Sequence, residues 1–424
     1  MSLAEAKVTK KLAVYRNDEL VGSLIDESPI KFVYDSIWRN NHQESISPNI
    51  DSSNAEHSGQ AVETYFENLL PEAGIRDLLK LKFQVTTTFG LLSVIGGDTA
   101  SDLTIMPENE APKEPQYQAI TWQDIADQFN QQKGAIRNIQ EQDGLKISLA
   151  GAQKKLSVCI DSNGNPLLPL GNSPSTYIVK PDIQGVEGVW ASAVNETFVM
   201  TLAAKLALGV AEAIYQPIAK ACIIKRYDRL LDANGRIKRL HQLDLCQLDA
   251  KPSTVKYESD GGPSLRRCRE LLSQSGVNAA DTKRFIQWIF FNLYVGNHDS
   301  HAKNLSIFFT PQNGVRLTPF YDLLSTSLYP GLSRKFAFNI GGESKPASIN
   351  RDQINAMSAL LGFKPTYVLN IAEEISTDLL ELLDGVSVEI NKMVSVGTEK
   401  TIVERLNQHI SSTTKGFQKR LFAS

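Results

Sequence analysis

The spacing of apolar and polar positions changes character along the chain. Leu12-Ala-Val-Tyr15 and Leu20-Val-Gly-Ser-Leu24 flank the polar turn Arg16-Asn-Asp-Glu19, which predicts a β-hairpin over 12–24. Residues 41–60 are polar, rich in Asn, Ser, His and Gln, and read as a surface loop. Helical spacing returns at Ala61–Leu70 and Gly74–Lys82. Pro107-Glu-Asn-Glu-Ala-Pro-Lys-Glu-Pro115, with three prolines and mixed charge, reads as a linker. Strands dominate after it. Ser157–Ile160 and Pro166–Leu170 flank the turn signal Asp161-Ser-Asn-Gly164. Tyr177–Lys180 is a short strand, and Ala193–Leu208 has the spacing of a helix. Ala221–Lys225 and Ile237–Leu240 flank a second turn signal, Asp232-Ala-Asn-Gly235. Beyond residue 262 the spacing is mostly helical, at 265–272, 283–294, 351–361, 366–384 and 402–410.

Composition adds limits. The 424 residues predict two or three domains, and 42% hydrophobic content supports a core of normal size. The formal net charge of −3 argues against unaided nucleic-acid binding by the whole chain. Cys159, Cys222, Cys246 and Cys268 form no C-x-x-C pair, so neither zinc nor a disulfide framework is indicated. No signal peptide and no apolar run of about 20 residues is present, which predicts a cytoplasmic protein without a membrane partner.

One stretch carries chemistry. In Asn292-Leu-Tyr-Val-Gly-Asn-His-Asp-Ser-His-Ala-Lys-Asn304, Asp299 and Asn304 stand as D-x-x-x-x-N, and Tyr321-Asp322 follows 18 residues after Asn304. Phosphoryl transfer from ATP uses one carboxylate to orient the attacking hydroxyl, and an amide and a second carboxylate to hold Mg²⁺. The apolar stretch Phe285–Tyr294 before the run and Leu305–Phe309 after it place Asp299 in a loop between a buried helix and a strand. Lys180, ending a strand, can pair with ATP phosphates, and Glu196 opens a helix 16 residues later as its potential partner. Tyr227, in Ile224-Lys-Arg-Tyr-Asp-Arg229, stands where a hinge would offer an aromatic ring to adenine. Ala150-Gly-Ala152 is a small-residue turn that lets backbone N–H groups approach a phosphate. His298 and His301 flank Asp299 and read as loop scaffolding rather than a metal pair.

These residues match a known family. The chain resembles the HipA-type toxin serine/threonine kinases of bacterial toxin–antitoxin modules. The matching stretches are Ile147–Lys155, His241–Gln247, Lys256-Tyr-Glu-Ser-Asp-Gly-Gly-Pro263, Gly296–Ile307 and Pro319–Leu324, together with Tyr65–Pro71 and Asp98–Leu103 nearer the N-terminus. The resemblance implies an α+β, bilobal protein-kinase-like fold with an extra N-terminal subdomain. The expected division is a β-rich subdomain at 1–106, a linker at 107–116, the N-lobe core at 117–228 and a helical C-lobe at 229–424. It implies Asp299 as the catalytic aspartate, Asn304 and Asp322 as Mg²⁺ ligands, and Lys180 as the ATP lysine. Ala150, Gly151, Ala152, Gln153, Lys155, Lys225, Tyr227, Asp228, His301 and Asn304 complete the expected ATP-binding set. Ser148 is the implied autophosphorylation site; phosphate there would draw the turn's N–H groups away from ATP. The implied substrate is an aminoacyl-tRNA synthetase of glutamyl type, whose modification arrests translation and growth. The implied partners are a HipB-like helix-turn-helix antitoxin and, through it, operator DNA. Two departures stand out: Lys154, where family members often carry Glu, and the hinge Lys225-Arg-Tyr-Asp-Arg229 in place of Glu-Arg-Phe-Asp-Arg. Two other readings stay open. One is a small-molecule kinase resembling phosphoinositide and antibiotic kinases. The other is a non-catalytic, DNA-bound co-repressor subunit.

Overall fold

The computed structural model describes residues 10–42, 44–131, 155–310 and 314–422. The alternation at 12–24 forms the expected hairpin, β1 (Lys11–Arg16) against β2 (Glu19–Ile25). Asn17 turns the chain at φ +52°, a left-handed conformation for which Asn is suited. Next come β3 (Lys31–Tyr34), α1 (Ser36–Asn41), β4 (Glu56–Ser58), α2 (Gln60–Glu67), α3 (Ala73–Phe83), α4 (Thr88–Ile95) and β5 (Leu103–Pro107). The five strands form one sheet in the order β4-β3-β2-β1-β5. Its buried face includes Leu12, Val14, Leu24 and Phe32. The segment 41–60 is not only a surface loop. It contributes β4, and Ile46 and Ile50 are fully buried. Between them, the Tyr34 hydroxyl accepts from the Ile46 N–H at 2.9 Å and donates to the Ile50 carbonyl at 2.5 Å.

After the proline-rich stretch come β6 (Gln116–Ala119), α5 (Trp122–Gln131), β7 (Leu156–Ile160), β8 (Pro166–Leu170), β9 (Tyr177–Pro181), α6 (Ser192–Lys205), β10 (Ala213–Gln216) and β11 (Ala221–Lys225). They build a six-stranded antiparallel sheet in the order β10-β11-β9-β7-β8-β6. Helix α6 is buried on every side from Ser192 to Met200, Asn195, Glu196 and Thr197 included.

The remainder comprises β12 (Arg229–Leu231), β13 (Ile237–Arg239), β14 (Gln242–Asp244), α7 (Leu245–Leu248), α8 (Leu265–Gln274), α9 (Ala279–Val295), β15 (Ser306–Thr310), β16 (Gly314–Leu317), α10 (Arg351–Leu360), α11 (Pro365–Asn391) and α12 (Gly397–Phe422). The turn Asp232–Gly235 joins β13 to β12, not to β11 as its spacing suggested; β11 is paired with β9 and β10. Helix α9 sets the site. Asn278 caps it, its side chain accepting from the Asp281 N–H at 2.9 Å. Phe285, Ile286, Trp288, Ile289, Phe290 and Phe291 have no exposed surface; a helix apolar on all sides belongs in a core. It stops at Gly296, whose φ is +70° and where a Cβ would sit 1.9 Å from Ser327 Oγ. Only glycine fits there, and the chain leaves the core directly into Asn297-His-Asp299.

The first module is held to the rest of the chain by buried charge. Asp98 has no exposed surface. It accepts from Arg229 Nη2 at 3.0 Å and Ser175 Oγ at 2.6 Å, with Arg226 Nη1 at 3.4 Å. Burial would raise its carboxyl, but Arg226, Arg229 and Arg239 hold it far below the usual carboxylate range. Asp102 pairs in turn with Arg16 at 2.6 Å and His241 at 3.0 Å. Among the described residues, no single helix is long and apolar enough to cross a membrane.

Candidate active site

Strand β9 presents Lys180, in register with Cys222 of β11. Its Nζ donates to Glu196 Oε1 of α6 at 2.6 Å and to Asp322 Oδ1 at 2.5 Å. Burial disfavours the ammonium, yet the Asp322 and Glu196 carboxylates outweigh it and push the Lys180 pKa up. Burial likewise opposes ionisation of Asp322, but Lys180 holds that carboxyl well below its ordinary range. Glu196 lies deeper, and there burial exceeds the pull of Lys180 and raises the pKa. The trio therefore rests on a charged Lys180 and an ionised Asp322. Asp322 adopts φ +60°, a left-handed backbone costing about 1–2 kcal/mol for a non-glycine residue. Its carbonyl accepts from Asn297 Nδ2 at 3.4 Å, and the preceding Tyr321 hydroxyl donates to the Lys303 carbonyl at 2.9 Å. Both contacts tie this strained residue to the loop after α9.

That loop is built from buried polar contacts around an open carboxylate. His298 scaffolds it: its N–H donates to Thr326 Oγ1 at 2.7 Å, and its Nδ1 lies 3.0 Å from the Ser333 carbonyl. Lys303 is buried between Asp244 Oδ2 and Asn68 Oδ1, each at 2.8 Å. Asn304 Nδ2 donates to the Asp299 carbonyl at 3.2 Å, so its Oδ1 is the atom that can take a cation. The Asp299 side chain is exposed and accepts from the Tyr257 hydroxyl. The surrounding protein nevertheless raises its pKa; the Tyr257 hydrogen bond and the Lys256 charge oppose the shift without cancelling it. His301 is buried with its ring edge-on to Tyr257 at 5.2 Å, and burial keeps it neutral.

The donor set suits Mg²⁺. This ion takes hard oxygen ligands, keeps several waters, and needs only one or two protein groups beside substrate phosphates. Asn304 and Asp322 supply such oxygens. Among the described residues no three His, Cys, Asp or Glu side chains cluster as a self-sufficient metal cage.

Other expected residues fall in different places. Ser148, Ala150, Gly151, Ala152 and Gln153 lie outside the described residues. Lys155 lies near the trio, its pKa pushed down to about 8 by burial and by the positive charge of Lys180. Tyr227 stacks on Tyr321 with ring centroids 5.9 Å apart, and its hydroxyl donates to Gln242 Oε1 at 2.7 Å. Lys225, one of the expected ATP-binding residues, pairs with Glu212: its N–H donates to the Glu212 carbonyl at 2.9 Å and its Nζ to Glu212 Oε2 at 3.1 Å. Asp228, another of them, is buried in the arginine cluster, with Arg226 Nη2 at 2.8 Å and Arg229 Nη1 at 2.6 Å. Tyr257 had no assigned role in the sequence, although Lys256–Pro263 stood out as a motif.

The chain is similar to known proteins over most of its length. Residues 12–106 match the HipA N-terminal domain and residues 147–382 the HipA-like C-terminal domain. The chain is 34% identical over 365 residues to the Y4mE protein of Sinorhizobium fredii, covering 80% of this chain and 83% of that one. It is 29% identical over 400 residues to the serine/threonine-protein kinase toxin HipA of Shewanella oneidensis, covering 88% and 90%. The structure of Shewanella oneidensis HipA with HipB and its operator DNA superposes with a TM-score of 0.82 at 25% identity, covering 96% of this chain and 97% of that one. Its fold is thus the α+β, bilobal, protein-kinase-like one, and this chain belongs to the HipA family of serine/threonine kinase toxins.

Proposed function

We propose that this protein is a toxin kinase that moves the γ-phosphate of ATP onto a serine of another protein. The observation that carries the reading is Lys180 bridging Glu196 and Asp322, with Asn297 tying the Asp322 carbonyl to the loop that bears Asp299 and Asn304. In this reading Lys180 neutralises the α- and β-phosphates with Lys155 near it, and Ala150, Gly151, Ala152 and Gln153 are further proposed phosphate-binding residues. Asn304 and Asp322 hold Mg²⁺, which supplies charge neutralisation for the phosphates. Asp299 orients the acceptor hydroxyl and takes its proton, and Tyr227 offers its ring to adenine. Ser148 is the proposed autophosphorylation site. The proposed substrate is a glutamyl-type aminoacyl-tRNA synthetase. A HipB-like antitoxin is the proposed neutralising partner, supported by the assembly in which the Shewanella oneidensis toxin was solved. A net charge of −3 favours contact with operator DNA through that antitoxin.

Asp322→Ala tests the metal side of the reading. ATP affinity measured by calorimetry in Mg²⁺ should fall by roughly 10–100-fold, the scale on which disturbed metal sites lose binding. Affinity indifferent both to Mg²⁺ and to this substitution would remove the site. The pH dependence tests the base. Asp299 must be ionised to accept a proton, and its pKa lies above the ordinary carboxylate value. Activity is therefore present at higher pH and lost on acidification, with the acid limb of kcat/KM above about pH 4. A limb at or below the ordinary value would contradict the assignment.

A further inference from the structure

The end of α2 reaches the catalytic loop along two routes. The first runs through the segment 251–257. Glu67 Oε2 accepts from the Ser253 N–H at 3.0 Å, Asn68 Nδ2 donates to the Lys251 carbonyl at 3.0 Å, and Glu72 Oε2 pairs with Lys256 Nζ at 2.7 Å. Asn68, Glu72 and Ser253 are all buried. Buried polar pairs of this kind fix geometry, because a displaced partner is left unsatisfied. The next residue is Tyr257, whose hydroxyl donates to Asp299 Oδ1. The second route is direct: Asn68 Oδ1 accepts from Lys303 Nζ at 2.8 Å, one residue before Asn304.

The Tyr257 contact has a chemical consequence. A carboxylate offers two oxygens, and with Oδ1 engaged, Oδ2 remains for the acceptor hydroxyl. A base held in one orientation by a third group is the arrangement that makes an attacking hydroxyl effective. We propose that Tyr257 is a positioning residue for Asp299, and that Glu67–Glu72 of the N-terminal module sets its place, making that module a working part of the phosphotransfer site. The inference rests on the reading of Asp299 as the catalytic carboxylate.

The test uses the full chain and three variants: Tyr257→Phe, Glu72→Gln and the double substitution. Phenylalanine keeps the ring against His301 and removes only the hydroxyl, so its melting temperature should match the parent. For Tyr257→Phe, kcat should fall roughly tenfold or more while KM for ATP stays unchanged. Glu72→Gln should lower kcat less, and the double variant should be no worse than Tyr257→Phe alone, because both act along one route. An unchanged kcat for Tyr257→Phe would overturn the proposal. So would a raised kcat, since the phenol would then be competing with the acceptor, or a loss confined to KM for ATP. Fully additive losses would overturn the part assigned to Glu67–Glu72. Asp299→Asn in the same assay separates this inference from its foundation. If the parent is active and Asp299→Asn is not, a parental rate for Tyr257→Phe defeats only the role of Tyr257.

Discussion

Asp299→Asn is expected to abolish phosphoryl transfer and leave the fold intact. The side chain is exposed, so no core packing depends on it. Asparagine has the same shape, and its Oδ1 can still accept from the Tyr257 hydroxyl. Asn304 bonds the Asp299 backbone carbonyl, which the substitution does not touch. What is lost is the ability to take a proton, since an amide cannot serve as a base. Removing general-base catalysis lowers the rate by roughly 10²–10⁴-fold. Single-turnover phosphate transfer should show that loss, while ATP affinity and melting temperature remain parental. Transfer at the parental rate would show that the base lies elsewhere.

Asp98→Ala is expected to produce the largest loss of stability. Asp98 is fully buried and faces Arg226 and Arg229, with Arg239 Nη2 at 3.6 Å. Among the described residues, Asp228 would remain beside Arg226 and Arg229. Breaking a buried ion network by removing one partner costs about 3–5 kcal/mol, because the remaining charges are left uncompensated. The pH sign follows from the depressed carboxyl. The folded pKa lies below the unfolded value, so this stabilisation is complete above about pH 4 and is lost as pH falls below it. Denaturant unfolding of parent and variant at neutral pH should separate by that amount, and the gap should close in acid. Equal midpoints at neutral pH would mean that the cluster contributes nothing net. Because the cluster joins the N-terminal module to the segment between β11 and β12, the variant should also unfold less cooperatively.

The sequence disclosed the parts of the site that local patterns encode. Asp299, Asn304 and Asp322 follow one another at fixed spacing, and the apolar run before them could only be a buried helix. The pairing of Lys180 with Glu196 was readable because a strand end and a helix start lie 16 residues apart. Contacts across long separations left no such trace. Tyr257 meets Asp299 across 42 residues, and Asp98 meets Arg226 across 128; both lie in stretches that stood out, but neither stretch names its partner. The pairing of Asp228 with the buried guanidiniums of Arg226 and Arg229 was likewise not announced by the sequence. Residues 41–60 read as a surface loop because polar residues outnumber the two isoleucines that carry its burial. β12 is only three residues long, too short to display an alternation, so its hairpin was credited to the longer strand β11.

Asp299, Asn304 and Asp322 are proposed to serve transfer of the γ-phosphate of ATP to protein serine. The most direct test of this role incubates the purified chain with γ-labelled ATP and a bacterial lysate, with Mg²⁺ or with excess chelator, and identifies labelled residues by mass spectrometry. Phosphoserine on protein is expected in Mg²⁺, none with chelator, and none with Asp299→Asn. Label that survives in Asp299→Asn, or that enters only small molecules, would contradict it.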